Sequence, residues 1–217
     1  MPSRIDVHPV SPKRWPDVEA LLGQGGAVRG CWCMHFRGKG AELHASWGAG
    51  NRAKLKGMVD EGKVPGLLAY LDGAPAGWCS VAPREEYGRL LRSPITRRED
   101  DVPVWSLVCL FVDPAHRGKG VATALVRAAV DYARSTGATT IEAYPVDDRL
   151  GPVHPDSGYH GVVSLLEPAG FREVARRRPR RPRMEVSVGD RRSSRARPAR
   201  SESPPSGGLH QSRPVGE

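Results

Sequence analysis

The residues with the clearest chemical potential form a glycine-rich turn between an apolar segment and a long amphipathic one. The turn runs from Arg117 through Gly118, Lys119 and Gly120 to Ala122. Its glycines permit positive φ angles and close backbone approach, and the unpaired amides at a helix N-terminus attract anions. The arginine and lysine add positive charge at the same point. The turn therefore predicts a pyrophosphate site built mainly from backbone amides.

Such a turn needs a strand before it and a helix after it. Residues 104–112 are apolar on both faces, which is typical of a central strand that is covered on each side. Apolar residues then recur at helical spacing: Leu125, Val126, Ala129, Val130 and Ala133. No Ser or Thr follows Gly-Lys, and no third glycine follows at the dinucleotide spacing. A magnesium-dependent phosphate loop and a dinucleotide site are therefore excluded.

Arg117, Gly120 and Ala122 match Arg/Gln-x-x-Gly-x-Gly/Ala, the acyl-CoA signature of the GNAT N-acetyltransferase superfamily, which this chain resembles. Gly170-Phe171 also matches the usual start of that family's penultimate strand. The Cys31-Trp-Cys-Met loop is similar to one in some bacterial members. The resemblance implies an α+β GNAT fold, in which helices flank a mixed central sheet of about six to seven strands. Strands 4 and 5 of that sheet would be parallel and splayed.

The resemblance also implies where acetyl-CoA or coenzyme A binds, namely between strands near residues 104–112 and 139–146. In similar proteins the first of these strands pairs with the pantetheine amides, and the glycine-rich turn binds the pyrophosphate. The cofactor-binding residues implied here are Leu110, Phe111, Val112, Arg117, Gly118, Lys119, Gly120, Val121, Ala122 and Thr123.

The acid and base groups depart from the family pattern. Many relatives carry a Tyr where this chain has Leu166, and a Glu where it has Ser106. We therefore predict replacements nearby: Glu142 as general base if it faces the cleft, and Tyr159 as a group that hydrogen-bonds the cofactor or its thiolate. An exposed position is the alternative for each. The predicted lining of the acceptor pocket is Tyr144, Asp147 and Asp148. His154 and His160 are expected to be exposed.

The predicted function is an N-acetyltransferase that moves an acetyl group from acetyl-CoA to a primary amine by direct attack in a ternary complex. The acceptor is expected to be a small-molecule or peptide amine. The alternative is a non-catalytic CoA-binding or regulatory module with a basic interaction tail. Acidic residues favour a cationic acceptor: Glu85, Glu86, Glu99, Asp100 and Asp101.

The loop around Cys31, Cys33 and His35 invites comparison with a zinc site. Zinc usually takes four ligands in two paired spacings, and this segment offers a single Cys-x-Cys and one His. No metal is therefore predicted. Nearby aromatic residues are expected to form apolar walls beside the acceptor: Trp32, Phe36 and Trp47.

Four further elements are predicted from local patterns. Asp72-Gly73 is a favoured tight-turn pair between two apolar runs and predicts a hairpin. Asn51 is expected to cap a helix that ends near Gly62. A helix is expected at about 159–166. The basic segment 176–183 is expected to be a loop between the last two strands.

Composition divides the chain at its C-terminal end. Residues 172–200 hold twelve Arg against three acidic residues, so most of the net charge of +9 lies there. Beyond Gly189 apolar residues are too few to offset the entropy of ordering, which predicts a disordered Arg/Ser/Pro-rich tail at 189–217. The domain that resembles the GNAT superfamily is then expected to span 1–188. Nucleic-acid contact would be unspecific and confined to that tail. The chain has no membrane span or signal peptide, few cysteines and no coiled coil, which favours the cytoplasm and leaves the oligomeric state open.

Overall fold

The computed structural model describes residues 3–23 and 30–189. The strands are β1 (Ile5–Pro9), β2 (Leu67–Leu71), β3 (Ala74–Pro83), β4 (Trp105–Val112), β5 (Thr140–Ala143), β6 (Arg172–Arg178) and β7 (Arg181–Ser187). The α-helices are α1 (Trp15–Gly23), α2 (Gly40–Ala45), α3 (Ala49–Asp60), α4 (Gly88–Arg92), α5 (Val121–Ser135) and α6 (Val163–Leu166). The predicted tail lies outside the described residues except for Gly189, and the division at 188 stays a prediction.

All seven strands form one sheet in the order β1-β2-β3-β4-β5-β7-β6. The β4–β5 pair is parallel, and the other neighbouring pairs are antiparallel. All six α-helices of the described chain lie between β1 and β6 in sequence. This arrangement confirms the predicted α+β class and its mixed sheet with parallel fourth and fifth strands.

Each face of the sheet is covered by apolar side chains from helices. The stripe of α5, including Leu125 and Ala129, packs against one face in a cluster with Leu107 and Ile141. On the other face, helices α1 and α3 contribute to a second cluster that includes Trp78 of β3. Because β3 and β4 are covered on both sides, they are apolar almost throughout, as the sequence predicted for the central strand.

The predicted hairpin is confirmed at Asp72-Gly73. Both residues have positive φ angles, +51° and +84°, as the tight turn between β2 and β3 requires. The predicted cap at Asn51 is wrong, because α3 begins at Ala49, directly after Gly48 with φ +80°. Asn51 is instead fully buried, and its amide nitrogen donates to the carbonyl of Gly30 at 3.2 Å.

Two C-terminal elements also differ from prediction. The basic segment 176–183 is mostly strand, because β6 and β7 pair up to Arg178 opposite Arg181 and leave only two residues to turn. The helix expected at 159–166 is divided: a 3₁₀ segment ends at His160, Gly161 has φ +78°, and α6 begins at Val163. Among the described helices, none combines the length and the apolar character that crossing a membrane requires.

Candidate functional site

The two parallel strands separate soon after they begin to pair. β4 pairs with β5 at only three positions, from Trp105 opposite Ile141 to Leu107 opposite Ala143. β4 then continues to Val112, and in the described part of the chain no strand pairs with this edge beyond Leu107. Backbone groups along such an edge are free to bind an extended ligand as an added strand. The sheet therefore opens in its middle.

Two local features explain why the strands part at this point. The β3–β4 register skips Val108, so β4 carries an extra residue where it leaves β5. A bulge of this kind bends its strand and increases the twist. On the opposite side β5 ends at Ala143, and Pro145 has no amide hydrogen with which to continue the ladder.

The turn before α5 presents unpaired backbone amides at the open end of β4. Gly118 and Gly120 have φ angles of +73° and +84°, which favour glycine. Within residues 3–23 and 30–189, the amides from Gly118 to Thr123 make no hydrogen bond to the protein. A Cβ at Gly118 would meet nothing within 4 Å, so the space above the turn is open. Successive free amides at a helix N-terminus form a nest that suits a phosphate.

Two side chains hold this turn against the end of β4. The Asp113 carboxylate accepts a hydrogen bond from the Ala115 amide at 2.8 Å. The Nε of Arg117 donates to the carbonyl oxygen of Val112 at 3.2 Å. Arg117 is otherwise exposed, so the rest of its guanidinium group remains available to an anion.

A glycine in β3 lets the N-terminus of α5 approach the sheet closely. A Cβ at Gly77 would lie 2.9 Å from Val121, 3.0 Å from Leu125 and 3.0 Å from the carbonyl oxygen of Phe111. Val121 is itself only 1% exposed, so its side chain belongs to the core and only its amide faces the turn. Gly77 could not be singled out from the sequence, because its role depends on a helix more than forty positions further along the chain.

A groove of about 360 Å³ follows the free edge of β4. Five of the predicted cofactor-binding residues line it: Leu110, Phe111, Val112, Arg117 and Ala122. The opposite wall comes from the segment around α6, including Gly158, Tyr159 and Val162. The other five, Gly118, Lys119, Gly120, Val121 and Thr123, lie in or directly after the amide-rich turn at one end of this groove. We call this space the β4 groove.

Two further cavities lie beside the same gap. One, of about 310 Å³, is lined by Leu107 and Val108 of β4 and by Tyr144 after β5. The other, of about 270 Å³, is lined by the loop that contains Trp32 and by Cys109 of β4. We call them the inner cavity and the aromatic cavity. They share the residues His35, Phe36, Arg89 and Tyr159.

Tyr159 lines the β4 groove and both cavities. Its ring stacks on His160 at a centroid distance of 4.5 Å and meets His35 edge-on at 6.3 Å. In the described residues its hydroxyl makes no hydrogen bond, and burial raises the pKa of the phenol. The side chain is therefore partly buried, protonated at neutral pH and free to donate its hydrogen to a ligand.

Glu142 was predicted to be a general base if it faces the cleft, and in the structure it does not face open space. Its side chain is fully buried, and its two oxygens accept hydrogen bonds from Ser106 at 2.6 Å and from Tyr144 at 3.0 Å. The same carboxylate forms ion pairs with Arg84 and, at 3.0 Å, with Arg98. Ser106 is fully buried beside it. The carboxylate is thus committed to four neighbours.

The five acidic residues that favoured a cationic acceptor do not stand in the two cavities. Three of the five acidic residues are paired with arginines: Glu86 with Arg37, Glu99 with Arg177 and Asp100 with Arg98. None of the five lines the inner or the aromatic cavity. Of the three residues predicted to line an acceptor pocket, Tyr144 lines the inner cavity, whereas Asp147 is ion-paired with Arg149 and Arg176, and Asp148 bonds Ser164.

The loop after residue 30 forms a wall of the aromatic cavity. Trp32, Phe36 and Trp47, the residues predicted to form apolar walls beside the acceptor, line this cavity together with Cys31 and His44. The Cys33 thiol lies 3.4 Å from the Cys109 thiol and ties the loop to β4, and all four cysteines are free and buried. Among the described residues no group of three or more Cys, His, Asp or Glu is placed to hold a metal.

Three residues of the cavities were not foreseen in these roles. His160 is partly buried, not exposed, because it packs against Phe36 at a centroid distance of 5.3 Å. Arg89 of α4 lies at the mouth of both cavities, and Arg181 of β7 lines the inner one. A signal for Arg181 exists in the sequence, because strand alternation places it on the same face as Glu185, the partner of Glu142 across the β5–β7 pair.

The chain belongs to the acetyltransferase (GNAT) family. The model of that family matches residues 27–151, which is more than half of the chain. This segment contains β4, the amide-rich turn, α5 and β5. The match confirms the superfamily assignment that the sequence motifs suggested.

Solved structures resemble the chain at low identity. The yncA protein of Salmonella typhimurium, solved with its cofactor acetyl-CoA, is 14% identical, with 86% of this chain and 95% of that chain covered and a TM-score of 0.48. The PaiA N-acetyltransferase of Thermoplasma acidophilum, solved with coenzyme A, is 15% identical over 85% and 99%, with a TM-score of 0.48. A GNAT-family acetyltransferase of Streptococcus pneumoniae is 13% identical over 86% and 100%, with a TM-score of 0.49. No curated protein matches the chain.

Proposed function

We propose that this chain is an N-acetyltransferase that transfers the acetyl group of acetyl-CoA to a primary amine by direct attack in a ternary complex. One observation carries the proposal: Tyr159 stands where the β4 groove meets the inner and aromatic cavities. A donor in the groove and an amine in the cavities would therefore meet at one hydroxyl. The family, an acetyltransferase family, supports the same reaction class.

The residues around the β4 groove suit a long ligand that carries phosphates at one end. The groove runs along an unpaired strand edge, where amide groups can bond as a further strand does. It ends at the free amides of Gly118 to Thr123, next to Arg117 and Lys119. Coenzyme A combines a pantetheine arm, which contains two amides, with a pyrophosphate. We therefore propose that all ten cofactor-binding residues named from the sequence bind it, five from the groove and five from the turn.

When bound, acetyl-CoA supplies an acetyl group activated as a thioester. The chain itself would align the reactants and stabilise charge, which together account for much of the rate in direct transfers. A neutral amine in the inner cavity would form a C–N bond to the acetyl carbon as the C–S bond breaks. Tyr159 would donate its proton to the departing sulfur, and the proton lost by the amine would pass to solvent and restore the phenol.

Glu142 takes a positioning role in this proposal. Its carboxylate joins Ser106 of β4, Arg84 and Arg98, and so fixes the floor of the inner cavity below Tyr144. With both oxygens already occupied, it has no lone pair directed into open space to accept the proton of an amine. A base is not required if the amine enters unprotonated, so activity should rise with pH through the pKa of the acceptor.

Two measurements test the proposal. Acetyl-CoA should raise the melting temperature of the protein, and release of free CoA should depend on an added primary amine. Gly120→Glu should abolish the stabilisation by acetyl-CoA, because the substitution strains a residue at φ +84° and places a carboxylate where the phosphates bind. Gly40→Glu is the matched control, since a Cβ at that surface glycine meets nothing within 4 Å.

The outcomes separate the two functions that the sequence left open. Stabilisation by acetyl-CoA together with amine-dependent CoA release supports the enzyme. Stabilisation without release over a broad panel of amines supports a non-catalytic CoA-binding module, and no stabilisation at millimolar acetyl-CoA contradicts both.

A further inference from the structure

We infer that the amine acceptor also carries an anionic group, and that Arg181 binds this group inside the inner cavity, with Arg89 at the mouth. The inference deepens the proposed acetyltransfer and rests on it. It reverses the charge that the acidic residues of the sequence had suggested for the acceptor.

The charges that line the two cavities are all positive. Apart from histidines, the inner cavity has Arg89 and Arg181 as its ionisable basic residues, and the aromatic cavity has Arg89. No Asp or Glu lines either one. The carboxylate of Glu142, two residues before Tyr144, already forms ion pairs with Arg84 and Arg98. A cationic ligand would therefore meet no counter-charge in these cavities, whereas an anion would meet two.

Arg181 lacks the partners that its neighbours have. On the same hairpin Arg176 pairs with Asp147 and Glu173, and Arg177 pairs with Glu99. Arg180 donates to two backbone carbonyls. In the part of the chain that the structure describes, the Arg181 guanidinium makes neither an ion pair nor a hydrogen bond, although it is partly buried. Partial burial of an unpaired charge is costly, which is explained if a ligand supplies the missing anion.

The histidines beside this arginine respond to the same positive field. Burial lowers the pKa of His160 to about 3, and the charge of Arg181 is the next cause. The pKa of His35 falls to about 4 through burial and the charge of Arg89. Burial also lowers the pKa of Arg181 itself. Both imidazoles are neutral at pH 7, so neither competes with the two arginines for an anion.

The remainder of the acceptor should be apolar. The aromatic cavity offers Trp32, Phe36 and Trp47, and the inner one adds Leu107 and Ile95. The volume of the aromatic cavity, about 270 Å³, is enough for a single aromatic ring system and not for a folded peptide. The chemistry on these walls fits a small amine with an aromatic or aliphatic body and a carboxylate.

A pair of ligands without an amine tests the anion site separately from catalysis. Indole-3-acetate and indole-3-acetamide have nearly the same shape, but the first carries a carboxylate and the second a neutral amide. Their binding to the protein saturated with CoA can be measured by calorimetry. We expect the carboxylate to bind at least tenfold more tightly. In Arg181→Gln this difference should vanish, and Arg181→Lys should retain part of it. Arg178→Gln is the control, because Arg178 pairs with Arg181 in the hairpin register but lines none of the cavities.

Catalysis provides the second arm. Tryptophan should exceed tryptamine in kcat/KM by at least tenfold, and Arg181→Gln should remove that preference without changing the KM for acetyl-CoA. Equal or weaker binding of the carboxylate by the natural protein, or a preference that survives Arg181→Gln, overturns the inference. Either result would leave the proposed acetyltransfer standing, since CoA binding and release with neutral amines are measured independently. A melting temperature that is unchanged or higher in Arg181→Gln would exclude a merely structural role for the arginine.

Discussion

Tyr159 owes its accessibility to its neighbours in the chain. Gly158 and Gly161 flank the segment, and the ring lies between His35 and His160 with no hydrogen bond from the described residues to its hydroxyl. Leu166, where many relatives have a tyrosine, is fully buried in the core and supplies nothing to the gap. Among the described residues, Tyr159 is thus the one that lines the β4 groove and both cavities.

We expect Tyr159→Phe to lower kcat about a hundredfold, because general acid catalysis of this kind contributes at least that much. The KM for acetyl-CoA should change little, since the ring remains in place. The raised pKa of the phenol means that kcat in the natural protein should not fall on the alkaline side until the pH exceeds 10. Steady-state kinetics from pH 6 to 10 measure both effects.

Tyr132→Phe is the control for this substitution. Tyr132 is also partly buried, but it lies on α5 against Trp105 and lines none of the three spaces. Similar losses in the two variants would contradict the role assigned to Tyr159.

At the level of elements, the site depends on how closely α5 approaches the sheet. The turn, the helix start and the edge of β4 meet over Gly77, where no side chain keeps them apart. The stripe of α5 and the motif Arg117 to Ala122 were readable from sequence because both are local. The glycine opposite them was not, because it is distant along the chain and follows no pattern.

Gly77→Ala should therefore weaken binding of acetyl-CoA and lower stability by about 1 to 3 kcal/mol, as overpacking in a core does. The methyl group would press on Val121 and displace the first turn of α5. Urea unfolding and calorimetric titration with acetyl-CoA measure the two effects. Gly57→Ala in α3 is the control, because its Cβ meets nothing within 4 Å and alanine favours a helix. An unchanged affinity of Gly77→Ala for acetyl-CoA would contradict the role assigned to Gly77.

The cluster around Glu142 joins β4, β5 and β7 to the segment before β4. Arg98 contacts Glu142 and Glu185, and Arg84 adds the carbonyl of Thr96 at 2.6 Å. The alternation of β5 was readable, but the sequence left open whether Glu142 faced a cleft or solvent. In the structure Glu142 faces neither a cleft nor solvent. Sequence could not show this, because the arginines that pair with Glu142 come from loops whose conformation no local pattern specifies.

Glu142→Gln should lower the free energy of unfolding by about 3 kcal/mol, because it leaves the buried Arg84 guanidinium without its counter-charge and removes one of the three carboxylates that pair with Arg98. Glu167→Gln, which disturbs an exposed pair with Arg149, should cost less than about 1 kcal/mol. Denaturant titrations of both variants give the comparison. A large loss of kcat with stability intact would instead identify Glu142 as the base.

On the scale of the whole molecule, several elements could be predicted from apolar periodicity and turn residues, and the sheet class followed from the resemblance to the GNAT superfamily. The three spaces could not, because each is assembled from segments far apart in the chain. His35, Tyr159 and Arg181, for example, come from a loop, a 3₁₀ segment and the last strand. The proposed cofactor-binding residues could be predicted from sequence because one continuous motif contains most of them, whereas the arginines that line the two cavities could not.

The buried histidines predict how the stability of the whole domain depends on pH. Their folded pKa values, about 4 for His35 and about 3 for His160, lie below the unfolded value of 6.5. As the pH falls below 6.5 the unfolded chain takes up protons that the folded chain refuses, so stability should decrease by about 1 kcal/mol or more per pH unit down to pH 4. The ion-paired Asp147 carboxylate, whose pKa is lowered mainly by Arg149, adds its own loss only below its unfolded value of 3.8.

Urea unfolding at pH 7, 6, 5 and 4 measures this slope. In the double variant His35→Gln/His160→Gln the slope over that range should flatten. A slope that is identical in the natural and variant proteins would show that other groups are responsible.

The burial of all four thiols has a practical consequence for anyone who studies the reaction. Burial raises the pKa of Cys31 to about 11 and that of Cys79 to about 12, so these sulfurs are neither exposed nor ionised at neutral pH. A chromogenic disulfide reagent reacts with thiolates that it can reach. In the folded protein the reagent would therefore react with released CoA and not with the protein's own cysteines. In denaturant the four cysteines would become reactive, and their reaction would report on unfolding.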